Sequence, residues 1–281
     1  MMRYCKTARK SIIMRHCAAF LSIAVLSSVC GCGILEDIIR PAATAEATSG
    51  ASDDHHDSPS GEPAVSPAPE LTEEEKQFWK QAEKLLDYYD DVALGSEYGD
   101  ADGKVYKWSE TARLYVAESP DFEKFKDFYI RFIDSLNAVE GFPGIEFTEN
   151  AENASLTLEF VSAEELEQKI GAGKDQAYGF ARISWYNSTG EIFKGNIYIV
   201  REEDSSEADV RHTLIEETTQ ATGLMNDSYR YENSIFYQGY STVDSLSEED
   251  GILFRMHYSE YIRGGIDGAG VKEIVTMLAN S

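Results

Sequence analysis

From residue 71 to residue 281, the order of apolar and polar positions predicts a helix, a set of strands and then more helices. Residues 71–89 begin with a capping box at Thr72 and Glu75 and carry an apolar stripe at helical spacing: Phe78, Ala82, Leu85 and Tyr89. Residues 119–139 repeat this pattern, with Ser119 as the cap and Pro120 in the first turn. The stripe of this second helix is Phe122, Phe125, Tyr129, Phe132 and Leu136.

Strands are predicted at 112–117, 145–149 and 155–161, the last because Leu156, Leu158 and Phe160 alternate with other residues. A short helix is predicted at 163–170. Residues 177–187 and 191–200 flank a turn sequence, which indicates a hairpin. Helices are then expected at about 206–223, 245–262 and 270–278. This order is typical of an α+β fold. We therefore predict one domain over residues 71–281, with a mixed sheet, a central motif helix and a C-terminal helical part.

The N-terminal 70 residues have a different composition. Five basic residues within the first fifteen precede the apolar run CAAFLSIAVLSSV, which is typical of a signal peptide and short for a membrane span. The run ends in VCGC, where the small residues before Cys32 resemble a bacterial lipobox. By that resemblance, residues 1–31 are a lipoprotein signal peptide, Cys32 is lipidated and residues 32–70 are a flexible acidic linker. Plain secretion without lipidation is the alternative.

A lipidated Cys32 implies a protein of the bacterial cell envelope, outside the cytoplasm and held to a membrane by its acyl chains. The chain has 25 basic and 50 acidic residues, and leaving out the five basic residues of the signal peptide gives a net charge of −30. This charge argues against nucleic acid as a partner. All four cysteines lie in the first 32 residues, so the domain has no thiolate for a metal. The segment DDHHD, residues 53–57, is either a weak metal binder or solvated linker.

The predicted helix at about 206–223 contains the segment EETTQATGLMN, which begins at Glu216. Ser206 caps this helix and Gly223 ends it. At about 100° per residue, the core side comprises Val210, Leu214, Thr218, Ala221 and Met225. The opposite side comprises His212, Glu216 and Gln220. Glu216 and Gln220 therefore project together and could share a metal ion, or they could belong to a solvated polar face.

The surroundings of this helix resemble metzincin zinc peptidases. In that pattern Glu216, Gln220 and Asn226 occupy the three ligand positions and Glu217 occupies the position of the catalytic glutamate. Gly223 falls at the glycine that ends the helix. The segment NSIFY, residues 233–237, resembles the methionine turn of these peptidases, with Phe236 in the place of methionine. The helix at 245–262 resembles their closing helix, with Asp250 and Tyr258 at positions that match the metzincin pattern.

More specifically, the motif helix, the turn and the closing helix resemble an uncharacterised bacterial family, domain of unknown function 2927, over residues 105–280. Members resemble zincins with a degenerate E-E-x-x-Q-x-x-G-L motif. The resemblance implies a metzincin-like fold and no particular activity.

The ligand positions differ from those of a zinc enzyme. Zinc prefers imidazole and thiolate, whereas this chain offers one carboxylate and two neutral amides, which suit a hard divalent cation better. Zinc is therefore not expected, and a cofactor is not required. A His212–Glu216 pair, or an approach of His257, would change this ligand set. Gln220 and Asn226 could also hydrogen-bond each other or the turn backbone, without a metal.

Three functions follow from these residues. The first is an envelope-anchored lipoprotein whose degenerate domain binds a peptide or protein at the cleft without catalysis. The second is a divergent metal-dependent hydrolase or peptidase with Glu217 as the general base. Loss of metal-activated water removes about 12 kcal/mol, whereas a general base supplies only about 3 to 5 kcal/mol. We therefore expect a pseudoenzyme. The third is a purely structural envelope protein.

Overall fold

The computed structural model of the protein describes residues 70–95, 102–170, 178–201 and 205–281. The predicted signal peptide, the predicted lipidation site at Cys32 and all of the predicted linker except Glu70 lie outside the described residues. In the part of the chain that is described, no helix is long and apolar enough to cross a membrane.

The domain contains the helices and strands that the sequence pattern predicts, in the predicted order. The helices are α1 (Glu73–Lys84), α2 (Leu86–Ala93), α3 (Pro120–Asn137), α4 (Ala163–Ile170), α5 (Glu207–Gln220), α6 (Glu248–Tyr258) and α7 (Gly268–Ala279). The strands are β1 (Ala112–Val116), β2 (Ile145–Phe147), β3 (Leu156–Val161), β4 (Gly179–Tyr186) and β5 (Glu191–Val200). The prediction of one continuous helix over 71–89 is wrong, because the chain leaves α-helical geometry at Leu85, where φ is −102° and ψ is 9°.

The strands form one mixed sheet in the order β2-β1-β3-β5-β4. β1 runs parallel to β2 and β3, and β3 runs parallel to β5. β4 alone runs antiparallel, as the first arm of the hairpin with β5. Among the described residues β4 pairs with β5 alone, so it is an edge strand, and α5 packs against it.

The core lies on one face of this sheet. Leu156 and Leu158 of β3 point into it, as the alternation predicted, and they are fully buried there. α3 and α5 cover this face and contact each other through the Tyr129 and Thr218 hydroxyls, which lie 2.9 Å apart. α4 covers part of the opposite face with a smaller apolar cluster of Val161, Leu166, Phe180, Tyr198 and Val200.

Local signals in the sequence set the helix starts. Thr72 with Glu75, Ser206 with Asp209 and Ser247 with Asp250 each form a reciprocal capping box. Ser119 caps α3, in which Pro120 is the first residue. The α+β fold class, with its mixed sheet, central motif helix and C-terminal helices, is confirmed.

Candidate functional site

The motif helix α5 is buried on more sides than the sequence indicated. Val210, Leu214 and Thr218 face the core as predicted. His212 and Gln220, on the opposite stripe, are only 7% and 5% exposed, so the interpretation of a solvated polar face is wrong. Segments that follow the helix cover this stripe. One of them, residues 238–246, is called the covering segment below.

Glu216, at the first ligand position, lies beside His212. Glu216 Oε2 is 3.6 Å from His212 Nε2, one helical turn away, so the pair that the sequence allowed is present. His212 Nδ1 is 2.6 Å from the carbonyl oxygen of Val243 in the covering segment, and it donates a hydrogen bond to that oxygen. Burial lowers the pKa of His212 below 6.5, and the hydrogen bond to Val243 and the nearby carboxylates act in the opposite direction.

Glu217, at the position of the catalytic glutamate, is buried between α5 and the start of the edge strand. A Cβ atom on Gly179 would lie 2.6 Å from Glu217 Oε1 and 2.5 Å from Thr213 Cγ2. Only a glycine leaves room for this carboxyl group against the backbone of β4. The structure therefore places Glu217, the predicted general base, beside the edge strand β4.

The other two ligand positions have protein partners. Gln220 Nε2 donates a hydrogen bond of 3.0 Å to Asp227 Oδ1. Asn226 Nδ2 donates to the carbonyl oxygens of Asp91 (2.7 Å) and Asp227 (3.1 Å). Its backbone amide donates to the carbonyl oxygen of Val92. Of the two alternatives that the sequence left open, Asn226 bonds the turn backbone at Asp227, and it also caps the end of α2, whereas Gln220 bonds the side chain of Asp227.

These contacts decide how well a zinc ion fits the three ligand positions. The side-chain amide nitrogens of Gln220 and Asn226 donate hydrogen bonds to protein oxygens. The amide oxygens that remain are weak ligands for zinc. Across the described residues, no group of three or more His, Cys, Asp or Glu side chains is placed to hold a metal ion. The zinc site implied by the metzincin resemblance does not fit these residues.

The turn that replaces the methionine turn is fixed by one buried carboxylate. Asp250 accepts hydrogen bonds from the hydroxyls of Tyr88 and Ser234 and from the backbone amides of Ile235 and Ser247. These four donors come from α2, the turn and the N-cap of α6. Phe236 is fully buried at the place of the methionine. Asp250 thus joins α2, the turn and the start of α6.

His257 does not approach the ligand positions. It is fully buried behind Gly223, where its Nε2 donates a hydrogen bond of 3.0 Å to the carbonyl oxygen of Tyr106. Its Nδ1 accepts a hydrogen bond of 3.0 Å from the Tyr89 hydroxyl. Burial lowers the pKa of His257 to about 3. Both ring nitrogens are engaged, so this histidine supports the fold.

Sequence reasoning missed three residues of the site: Gly179, Asp227 and Asp91. A glycine within a predicted strand is a known signal for close approach of another group, so Gly179 could have been found. Asp227 directly follows Asn226. Asp91 lies 135 residues before Asn226, and no sequence pattern connects the two.

The outer edge of β4 pairs with no other strand among the described residues. Val200 N donates to the carbonyl oxygen of Tyr178 (2.8 Å), which fixes the alternation of the β4–β5 ladder. The backbone groups of Gly179, Ala181 and Ile183 therefore point away from β5. Tyr178, just before β4, and Tyr240 of the covering segment are exposed.

Comparisons with known proteins identify a family and a weak structural match. The family model "Protein of unknown function (DUF2927)" matches residues 82–277, somewhat more than the 105–280 predicted at the N-terminal side. The crystal structure of myroilysin is a weak structural match, with a TM-score of 0.37 and 10% sequence identity, covering 61% of this chain and 93% of that chain. No curated protein matches the sequence. Because the family model covers more than half of the chain, this protein belongs to the DUF2927 family.

Proposed function

We propose that this protein is a lipid-anchored protein of the bacterial envelope whose domain binds an extended peptide along β4 without hydrolysing it. The binding site would be the edge formed by Gly179, Ala181 and Ile183, next to α5. The anchor would be Cys32, the first residue of the predicted linker.

The observation that carries the binding proposal is the outer edge of β4 beside α5, with which no strand in the described part of the chain pairs. An extended peptide that adds to such an edge gains backbone hydrogen bonds without any change in the sheet. Exposed Tyr178 and Tyr240 lie where side chains of the peptide can pack against them. The ligand positions at Gln220 and Asn226 hold protein partners, which supports binding without metal-dependent hydrolysis.

A second candidate is a hydrolase with Glu217 as the general base. The observation that favours it is the close packing of the Glu217 carboxyl group against Gly179. A peptide bound at this edge would lie near that carboxyl group. Without activated water from a metal, however, a general base supplies only about 10²- to 10⁴-fold.

Peptide binding can be tested with a displayed library of random peptides and the full-length chain. A selected peptide is then resynthesised with one backbone N-methyl group at a time. Strand addition predicts that affinity falls at every second residue, because alternate amides of an added strand bond to the edge. Loss without this period of two would contradict strand addition.

Variants of Ala181 test the same edge from the protein side. Ala181→Pro removes an outward N–H and should weaken binding at least about tenfold, or about 1.4 kcal/mol. Ala181→Ser keeps the N–H and is the matched control. Equal affinity of the two variants would argue against this edge as the site.

Two further measurements separate the candidates and test the anchor. If the selected peptide is cleaved and Glu217→Gln abolishes cleavage, the hydrolase replaces the binding protein as the better account. Radiolabelled palmitate in a bacterial host should enter the wild type and a Cys30→Ala variant but not Cys32→Ala. Label in Cys32→Ala would refute the proposed anchor.

A further inference from the structure

The face of the sheet that lies opposite the core is only partly covered. α4 packs on it at one end, where it meets Phe180 of β4 and Tyr198 of β5. Away from α4, the register places Thr157, Asn196 and Arg182 side by side across β3, β5 and β4, and their side chains are exposed or half-buried. The part of this face away from α4 is called the open face below, and it comprises Thr157, Arg182, Ser184, Tyr186, Lys194 and Asn196.

The open face is basic in a chain that has twice as many acidic residues, 50, as basic residues, 25. Arg182 and Lys194 are exposed there, and within the described ranges neither forms an ion pair. At the α4 end, the carboxylate of Glu159 is already paired with Lys169, at 2.9 Å. Glu146 is on β2, about 14 Å from β5 across the sheet, which is beyond the distance at which salt screens charges. The two cations are therefore available to an anionic partner.

An exposed aromatic pair ends the open face at the hairpin. Tyr186 and Phe193 are 52% and 43% exposed, and their ring centroids lie 4.6 Å apart with the planes tilted by 33°. A register shift in the hairpin puts Phe193 on the same face as Tyr186. Glu191, opposite Tyr186, accepts a hydrogen bond from the Ser109 hydroxyl. The exposed ring of Tyr186 offers a flat apolar surface, which suits the C–H face of a sugar ring.

Uncharged polar groups lie beside the cations. Asn196 Nδ2 donates a hydrogen bond of 2.7 Å to Thr157 Oγ1. The hydroxyl of Thr157 can therefore still donate and Asn196 Oδ1 can still accept, side by side on neighbouring strands. A ligand hydroxyl is itself both donor and acceptor, so it can bond to both groups. Ser184, opposite Lys194, adds a further hydroxyl. Sugars carry many hydroxyl groups, whereas an acidic side chain of a peptide carries only its carboxylate.

We propose that the open face binds a polysaccharide that carries carboxylate groups. Arg182 and Lys194 are diagonal neighbours on β4 and β5, about 7 to 8 Å apart at the backbone, so they suit single charges spaced along a polymer. From Arg182 to Tyr186 the face extends about 13 Å along β4, which accommodates a short oligosaccharide. The acidic remainder of the protein does not prevent this contact, because charges more than about 8 Å away are screened at physiological salt. The inference does not depend on peptide binding at β4, because it uses side chains of the sheet face and not the outer backbone edge.

Calorimetric titration of the full-length chain with oligogalacturonate, a short polymer of a carboxylated sugar, tests the proposal. Its methyl ester keeps the sugar rings without the charges, and polyglutamate of similar length keeps the charges without the rings. We expect a Kd below about 1 mM for oligogalacturonate, at least about tenfold weaker binding of both other polymers, and weaker binding as salt is added. Equal binding of polyglutamate would make this face a site for acidic peptides, and binding only to phosphatidylglycerol vesicles would make it a lipid-facing surface. Either result overturns the proposal, as does no binding of oligogalacturonate at about 1 mM.

Variants locate the binding on the open face. Arg182→Gln and Lys194→Gln should each weaken oligogalacturonate binding about threefold, and together about tenfold. Tyr186→Ser should weaken it at least about threefold. The matched controls are Lys80→Gln on α1 and Tyr229→Ser, which change exposed side chains outside this face and should leave the affinity unchanged. Circular dichroism shows whether each variant is folded, and the two charge variants decide if Tyr186→Ser is not. Unchanged affinity in the double charge variant, or equal weakening by Lys80→Gln, would refute the proposal.

Discussion

His257 should make the stability of the domain depend on pH. Its neutral ring is fully engaged, with Nε2–H donated to Tyr106 and Nδ1 accepting from Tyr89. Protonation of Nδ1 would break the bond from Tyr89 and place a charge in the core. Burial therefore lowers the pKa of His257 from 6.5 to about 3 in the folded protein.

The direction of the effect follows from proton uptake. Between these two pKa values the unfolded chain binds a proton that the folded chain does not, so stability is lost as pH falls below about 6.5. The full difference of about 3.5 pH units corresponds to about 5 kcal/mol in strongly acid solution. Between about pH 7.5 and about pH 5 the expected loss from His257 is about 2 kcal/mol.

Urea unfolding at several pH values, followed by tryptophan fluorescence, measures this loss. The control is His257→Gln, which lacks the titrating ring. His212 contributes with the same sign, because burial also lowers its pKa, but it is present in both proteins. The variant should be less stable at pH 7.5 and should lose about 2 kcal/mol less on acidification. An equal loss in both proteins would refute the reasoning. If the variant does not fold, the wild-type ring can be titrated by NMR, and protonation of His257 above pH 5 would refute it.

Three other substitutions test contacts of the site by urea unfolding. Asp250→Asn keeps one oxygen for the backbone amides of Ile235 and Ser247 but turns an N–H₂ group toward the Tyr88 and Ser234 hydroxyls, which lose their acceptor, and should cost about 1 to 3 kcal/mol. Exposed Glu248→Gln should change stability by less than about 0.5 kcal/mol. Gly179→Ala should cost about 1 to 3 kcal/mol, because the new methyl group meets Glu217 and Thr213. Its matched control, Gly251→Ala in α6, adds a methyl group in open space and should stabilise by about 0.5 to 1 kcal/mol. Asn226→Ala should cost about 1 to 2 kcal/mol through loss of its two carbonyl contacts, and exposed Asn233→Ala is its control. If a control substitution lowers the free energy of unfolding as much as the substitution it is matched to, the proposed role of that contact in stability is contradicted.

Much of the fold was predictable because its signals are local. Each capping box joins residues three apart, and each apolar stripe repeats within one helix, so a short window of sequence contains the whole signal. The order of strands and helices then followed, as did the resemblance to DUF2927. The break at Leu85 was missed because the apolar stripe continues across it into α2.

The environment of the candidate site was less predictable, because its partners are distant in sequence. A helical wheel shows which side chains share a face but not what covers that face. His212 is buried because Val243, 31 residues later, lies over it. Asn226 turns toward Asp91, which no periodicity connects to it. Position and spacing thus predicted which side chains share a face of the helix, whereas tertiary packing decided their partners.

The four hydrogen bonds to Asp250 have a consequence for motion in the cleft. The amide of Ile235 is bonded to this buried carboxylate, so it can exchange with solvent only when α2, the turn and α6 separate. The outward amides of Gly179, Ala181 and Ile183 need no such opening. The turn at Ile235 should therefore exchange far more slowly than the edge strand, so adjustment to a bound molecule would come from the edge strand and the covering segment.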